Sequence, residues 1–392
     1  MERWPGLPPD VLASIMARLD LVDQVRMSAV CAGWRLVAMD SSRRPPPLPA
    51  LWLLLPQRCN AAAPPLFEFA SFSEGMRRYA IGRAPGLRYG DCIGSSEGWL
   101  MVVDALGGLH AVDPITGVRI PLLSDGIVLT EGDSAAAPVY RYRRSIFVPP
   151  RGSGGGSAVA AAVIRLRDAE FPELTFARAG VNAAWVSPEV AFPGFEDIAA
   201  HDGKLYALSS DSRVVVFDLG SDPSSSAPPA VSVIQTEPDR RRFQRKHLGV
   251  MAGNLVMLQW RYCGPCPFRL RRCIPEFQVL RLQRGPEPKW VELKDLGGHA
   301  ILLGTDGFTA VHTGEFPELR SNCVYSLVQA SDDDGGGSVL EVVELQSRAV
   351  AVEPLCETSA APIWFLPIRN SFSAPWINWQ PAKLSPMLAG KL

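Results

Sequence analysis

The sequence has no excess of either charge. Its 39 Lys and Arg residues stand against 40 Asp and Glu, a net charge of −1. No global field therefore draws it to nucleic acid or an anionic membrane. Long apolar runs are also missing. The longest near the start, Leu51 to Leu55, falls far short of the roughly 20 residues of a membrane span. The opening Met1-Glu2-Arg3-Trp4-Pro5 has no apolar core of a secretory leader. Histidine is scarce, and the five present, His110, His201, His247, His299 and His312, show no metal-ligand spacing. His201 beside Asp202 reads as a structural turn residue. No Gly-x-Ser-x-Gly elbow and no P-loop occurs. The eight cysteines are scattered, and Cys31, Cys92, Cys323 and Cys356 sit in apolar surroundings. They read as reduced thiols of a cytoplasmic and/or nuclear protein.

What the sequence does have is turns. It holds 34 glycines and 35 prolines in 392 residues, well above the roughly one in eight of average proteins. With 47% hydrophobic residues, it has material for a sizeable core cut into short elements.

The N-terminal segment differs from the rest. Val11, Leu12, Ile15, Met16 and Leu19 recur at helical spacing and make one apolar stripe. Asp20 is placed to cap a second helix carrying Val22, Val25 and Ala29 on one face. Cys31, Trp34 and Ala38 continue on a third, and Pro45-Pro46-Pro47 ends the helical region. Three short helices are at the lower size limit for independent folding. The stripe is expected to need a partner surface, either another protein or the rest of the chain.

The residues carrying this pattern are Leu7-Pro8-x-Asp10-x-Leu12-x-x-Ile15-x-x-x-Leu19, then Asp23-x-x-Arg26-x-x-x-Val30-Cys31-x-x-Trp34-Arg35. They resemble an F-box. In that family the motif docks on the Skp-type adaptor of a cullin–RING ubiquitin ligase. The resemblance implies adaptor contacts at Leu7, Pro8, Leu12, Ile15, Leu19, Val25, Val30, Cys31 and Trp34.

Beyond the prolines, short apolar stretches alternate with Gly, Asp, Ser and Pro. A weak repeat emerges in Asp91 to Leu123, Asp197 to Ile234, Lys246 to Leu293 and His299 to Glu353. Each unit holds about four strands in about 40–60 residues, the size of a propeller blade. Leu51 to Ile81 and Val159 to Val186 supply two more units. The expected fold is mainly β with a small all-α N-terminal domain: a three-helix unit at 1–44, then a β-propeller of about six blades at 45–392. A C-terminal strand near 362–367 would pair into the first blade and remove an exposed edge. The competing architecture is a pair of β-sandwiches. Gly152 to Ser157, Ser221 to Pro229 and Asp332 to Ser338 read as loops between strands.

This region resembles the C-terminal domain of a large plant family of F-box proteins, the KIB-type β-propellers. The matching segments are Ser96-Glu97-Gly98-Trp99-Leu100 with Asp113-Pro114-Ile115-Thr116-Gly117, and Phe195-Glu196-Asp197-Ile198 with Gly203-Lys204-Leu205-Tyr206-Ala207. Leu302-Leu303-Gly304 with Ser321-Asn322-Cys323-Val324-Tyr325, and Pro362-Ile363-Trp364-Phe365, follow in family order. The resemblance implies a non-catalytic receptor subunit of a ubiquitin ligase, with an unknown protein substrate and no cofactor. The stretch from Arg240 to Pro275 is longer and more basic than the family pattern.

Other chemistry ranks below this. Cys263-Gly264-Pro265-Cys266 has the letters of a thioredoxin-like active site, which needs a strand before it and a helix after it. Here Pro267 and Arg269 to Arg272 follow, then another strand from Phe277, so the segment reads as a hairpin loop. A thiol–disulfide oxidoreductase using Cys263 and Cys266 is the less favoured alternative, as is a propeller binding module acting outside a ligase. Zinc on Cys263, Cys266 and Cys273 would need a fourth ligand; His247 is the nearest candidate, and a second Cys pair is missing. The basic clusters Arg240 to Lys246 and Arg141 to Arg144 read as solvated loop charge, rather than as an import signal or an acidic partner's site.

Overall fold

Strands dominate because most apolar runs here are too short for helices and are bounded by turn residues. The structure, a computed structural model, describes residues 6–19, 21–39, 50–55, 66–83, 92–103, 108–115, 117–122, 140–148, 159–166, 173–178, 194–218, 230–236, 245–262, 275–329, 337–356 and 362–367. Three helices come first: α1 (Pro9–Met16), α2 (Leu21–Val30) and α3 (Ala32–Met39). Asp20, expected to cap the second, lies outside the described residues.

Six sheets follow. Blade 1 is β1 (Trp52–Leu55), β2 (Leu66–Ser71) and β3 (Arg77–Arg83), joined by the last strand, β24 (Ile363–Phe365). Blade 2 is β4 (Cys92–Ser96), β5 (Trp99–Val103), β6 (Leu109–Val112) and β7 (Arg119–Pro121). Blade 3 is β8 (Tyr140–Val148), β9 (Val159–Leu166) and β10 (Glu173–Arg178). Blade 4 is β11 (Phe195–His201), β12 (Lys204–Ser209), β13 (Val214–Asp218) and β14 (Ala230–Ile234). Blade 5 is β15 (Arg245–Met251), β16 (Asn254–Tyr262), β17 (Pro275–Gln283) and β18 (Lys289–Glu292). Blade 6 has five strands: β19 (His299–Gly304), β20 (Gly307–His312), β21 (Cys323–Gln329), β22 (Ser338–Glu344) and β23 (Val350–Cys356). Its β19 and β21 run parallel; the remaining pairings are antiparallel.

The sheets form a ring. Strand β24 touches β4, β4 touches β8, β8 touches β11, β11 touches β15, β15 touches β20, and β19 returns to β24. Successive side chains on a strand point to opposite faces, and each blade uses both faces to pack on its neighbours. In β1, Leu53 and Leu55 join Leu302, Tyr325 and Leu340 of blade 6. Trp52 and Leu54 join Leu100, Val102 and Val112 of blade 2. Six apolar clusters of this kind fill the six blade-to-blade interfaces. That is why middle strands such as β5 and β13 are continuous apolar runs, buried almost throughout. Outer strands such as β7 and β14 are largely exposed. Two stacked sandwiches would have separate cores, so the ring excludes that alternative.

Three blades share one turn. Glu97-Gly98, Asp202-Gly203 and Ala252-Gly253 join the first two strands of blades 2, 4 and 5, each with positive φ at both residues. This is the backbone of a type I′ hairpin, whose twist matches that of the strands it joins.

Two basic clusters lie differently from their reading as loop charge. Tyr140 to Val148 is strand β8, and Arg144 within it has a side chain only 12% exposed. Arg245 is exposed, but its neighbour Lys246 is buried between blades 4 and 5. There its ammonium donates to Ser212 Oγ at 2.7 Å and to the Ser210 carbonyl at 3.2 Å. Two oxygens on the adjacent blade thus satisfy the buried amine. Arg240 to Phe243 and Gln244 lie outside the described residues.

Candidate functional site

The helical unit builds its own small core and leaves other apolar side chains uncovered. Pro8 caps α1, and its carbonyl accepts the N–H groups of Val11 and Leu12 at 3.1 Å. Pro9 takes the first helical position, where a missing N–H costs nothing. Asp10 sits in the first turn, favourable to the helix dipole. At the other end, the buried Gln24 donates through Nε2 to the carbonyls of Met16 at 2.9 Å and Leu19 at 3.0 Å. This occupies carbonyls that a helix terminus leaves open and ties α2 to the end of α1. Cys31 stands at the break between α2 and α3, and its Sγ accepts the Trp34 N–H at 3.5 Å. The thiol thus does weakly what an N-cap hydroxyl does. Arg35 Nε donates back to the Ser28 carbonyl at 3.3 Å.

The apolar stripe on α1 is two ridges. Leu12, Ala13 and Met16 pack against Val37 and Ala38 of α3, with Leu7, Met27 and Trp34 at the margin. Val11 and Ile15, one position away, point outward at 43% and 39% exposure. Val30 at the end of α2 is 62% exposed and Leu36 on α3 is 70% exposed. Four of the six large exposed hydrophobics among the described residues are on these three short helices. Among the described residues of the much larger propeller, the large exposed hydrophobics are Val231 and Val352. The segment expected to need a partner surface thus buries Leu12, Ala13, Met16, Val37 and Ala38 on itself and leaves others uncovered.

Of the residues the F-box resemblance assigns to adaptor contact, Pro8, Ile15 and Val30 are exposed. Leu7, Leu19, Cys31 and Trp34 are half-buried, and Leu12 is inside the helical core. Val25 lies on α2, and its side chain is outside the described residues. Val11 and Leu36 are exposed apolar positions that the motif reading omits. Val11 was visible in the stripe; Leu36 carries no sequence signal beyond being a leucine beside the buried Val37 and Ala38.

The residues considered for other chemistry are dispersed. Cys263, Cys266 and Cys273 lie outside the described residues. The strands on either side, β16 and β17, pair antiparallel with Tyr262 opposite Pro275. His247 Nδ1 lies 3.2 Å from Asp197 Oδ2. Burial pushes the Cys323 thiol up, against the opposing charge of Arg320, so it is a poor nucleophile. Among the described residues no group of three or more His, Cys, Asp or Glu is placed to hold a metal. No described helix is long and apolar enough to cross a membrane.

Comparison with known proteins agrees with both halves of the architecture. Residues 69–350 match the KIB1-4 beta-propeller family, and residues 4–44 match the F-box domain. The chain belongs to the KIB1-4 β-propeller family and carries an F-box, which implies binding to an adaptor of the Skp type. It is 23% identical over 337 residues to the putative F-box protein At4g17565 of Arabidopsis thaliana, covering 83% of each chain. It is 24% identical over 375 residues to the putative F-box protein At1g65770 of the same plant, covering 87% of this chain and 95% of that one. Among solved structures, TolB from Acinetobacter baumannii is similar with a TM-score of 0.40 and 10% identity, over 85% of this chain and 70% of that one.

Proposed function

We propose that the chain is a substrate-recognition subunit of an SCF-type ubiquitin ligase. Its helices, residues 1–44, bind a Skp-type adaptor and through it a cullin–RING ligase. Its propeller, residues 45–392, recruits a protein for ubiquitination. The observation that carries the reading is the concentration of exposed apolar side chains on three short helices beside a ring that packs all its own interfaces. Val11, Ile15, Val30 and Leu36 form the centre of the proposed adaptor contact, with Pro8, Leu7, Leu19, Val25, Cys31 and Trp34 around them. Leu12 acts from beneath by holding α1 in place. These four side chains are 39–70% exposed, so covering them is worth roughly 3–6 kcal/mol before the costs of association, and the surrounding contacts must supply the rest. In this role the protein is not an enzyme. It contributes proximity, holding a substrate near the ubiquitin-conjugating enzyme. It would act in the cytoplasm, the nucleus or both.

Co-purification with a Skp-type adaptor tests the reading. The wild-type chain is expected to retain the adaptor and an Ile15→Asp, Val30→Asp variant to lose it. Equal retention by the variant would contradict the proposal.

A further inference from the structure

The ring axis holds a polar network that the proposed function does not use. Arg144 projects from β8 of blade 3. Its Nη1 donates to the backbone carbonyl of Asp306 and lies 3.7 Å from Asp306 Oδ2. Asp306 occupies the β19–β20 turn of blade 6, opposite blade 3 in the ring, so the contact is made across the axis. Arg144 Nε also lies 3.3 Å from Oδ1 of Asp197 on blade 4. Each partner then reaches further. Asp306 Oδ2 accepts the Ser95 N–H of blade 2 at 3.0 Å. Asp197 Oδ2 accepts the Leu248 N–H of blade 5 at 2.9 Å. Ser95 Oγ donates to the Trp364 carbonyl of β24 at 2.5 Å. All six blades are therefore connected through a few side chains centred on one guanidinium.

Glycine makes the close approach possible. A Cβ on Gly94 would lie 2.6 Å from Asp306 Oδ2, and one on Gly307 would lie 2.7 Å from Arg144 Nη1. Arg144, Asp197 and Asp306 are nearly buried, with side chains 12%, 1% and 9% exposed. Burying such charges gives little net stability, because desolvation offsets their attraction. What the guanidinium does supply is position: Nη1 hydrogen-bonds the Asp306 carbonyl, while the charge lies within ion-pair distance of carboxylates on blades 4 and 6, although Nε makes no hydrogen bond of its own among the described residues.

We propose that Arg144 is a latch across the propeller axis. It fixes blade 6 against blades 3 and 4 and gives the ring a second closure, separate from the pairing of β24 with β1. Opening of the β19–β20 turn is then coupled to β8 and β11, to which no sequence neighbourhood links it.

Hydrogen exchange by mass spectrometry on the full chain tests this. In Arg144→Met, amides of β19–β20 and β11 are expected to exchange at least about tenfold faster than in the wild type, with β5 and β6 unchanged. An Arg261→Met control, which removes an exposed ion pair with Glu276, should leave β19–β20 at its wild-type rate. Wild-type exchange in β19–β20 of folded Arg144→Met would overturn the latch. If Arg144→Met does not accumulate folded, Arg144→Lys carries the test. A single shorter ammonium cannot both reach the Asp306 carbonyl and stay within ion-pair distance of Asp197, so faster exchange in β19–β20 or β11 supports the latch, and unchanged exchange in both overturns it.

Discussion

Trp52 and Phe365 are cross-strand partners with ring centroids 6.3 Å apart, although they come from opposite ends of the propeller sequence. Phe69 lies against both, 5.5 Å from Trp52 and 5.1 Å from Phe365. Three aromatic rings thus seal the seam where the ring closes. Without β24, strand β1 would present an open edge beside the axis.

Phe365 is fully buried in that seam. Replacing it with alanine removes the ring that faces Trp52 and leaves a cavity. Phe365→Ala is expected to lower stability by about 3–5 kcal/mol, read as a shift in the urea unfolding midpoint. A loss below about 1 kcal/mol would mean that β24 does not bear on closure.

The two ridges of α1 separate folding from binding. Leu12→Ala should destabilise the helical unit by about 2–4 kcal/mol, since Leu12 is central to its core. Ile15→Ala, on the outer ridge, should change it by less than about 1 kcal/mol. Thermal unfolding followed by helical circular dichroism distinguishes the two.

Asp306 gives the propeller a pH dependence of defined sign. Burial pushes its carboxyl above the ordinary value of 3.8, and the Arg144 charge opposes this only in part. An acid raised in the folded state binds its proton more tightly there. Its contribution is complete below 3.8 and is lost as pH rises through the folded value. The stability of wild type relative to Asp306→Asn should therefore fall between acidic and neutral pH. A constant difference would refute the assignment.

Asp211 has the opposite sign. Burial raises it, but hydrogen bonds from Arg213 and Ser209, with the Arg213 charge, outweigh burial and hold it below 3.8. Its contribution is present above 3.8 and is lost as pH falls through the lowered value. Carboxyl chemical shifts should show Asp211 still mostly ionised at pH 3.8, and a half-protonated carboxyl there would refute the assignment.

The sequence made the helical unit and the repeat legible for physical reasons. The Leu7 to Trp34 pattern is a dense set of spaced apolar and capping residues, and Gly98, Gly203 and Gly253 mark hairpins that need positive φ. Strand β8 was hidden because Arg141, Arg143 and Arg144 suggest a solvated loop; nothing local shows that Arg144 meets carboxylates on two other blades. The sequence pattern therefore starts that blade at Val159, whereas it begins with β8 at Tyr140. The choice of outer ridge on α1 was also hidden. Val11 and Ile15 have the same spacing as Leu12 and Met16, so periodicity alone cannot say which pair faces inward.

The most direct measurement is titration of the purified full-length chain with a purified Skp-type adaptor, comparing wild type with Ile15→Asp, Val30→Asp. Saturable one-to-one binding by the wild type, weakened at least about a hundredfold in a variant whose propeller remains folded, is the predicted result; the loss of two buried apolar contacts is of that size. Wild-type affinity in the variant, or no binding by either chain, would contradict the account.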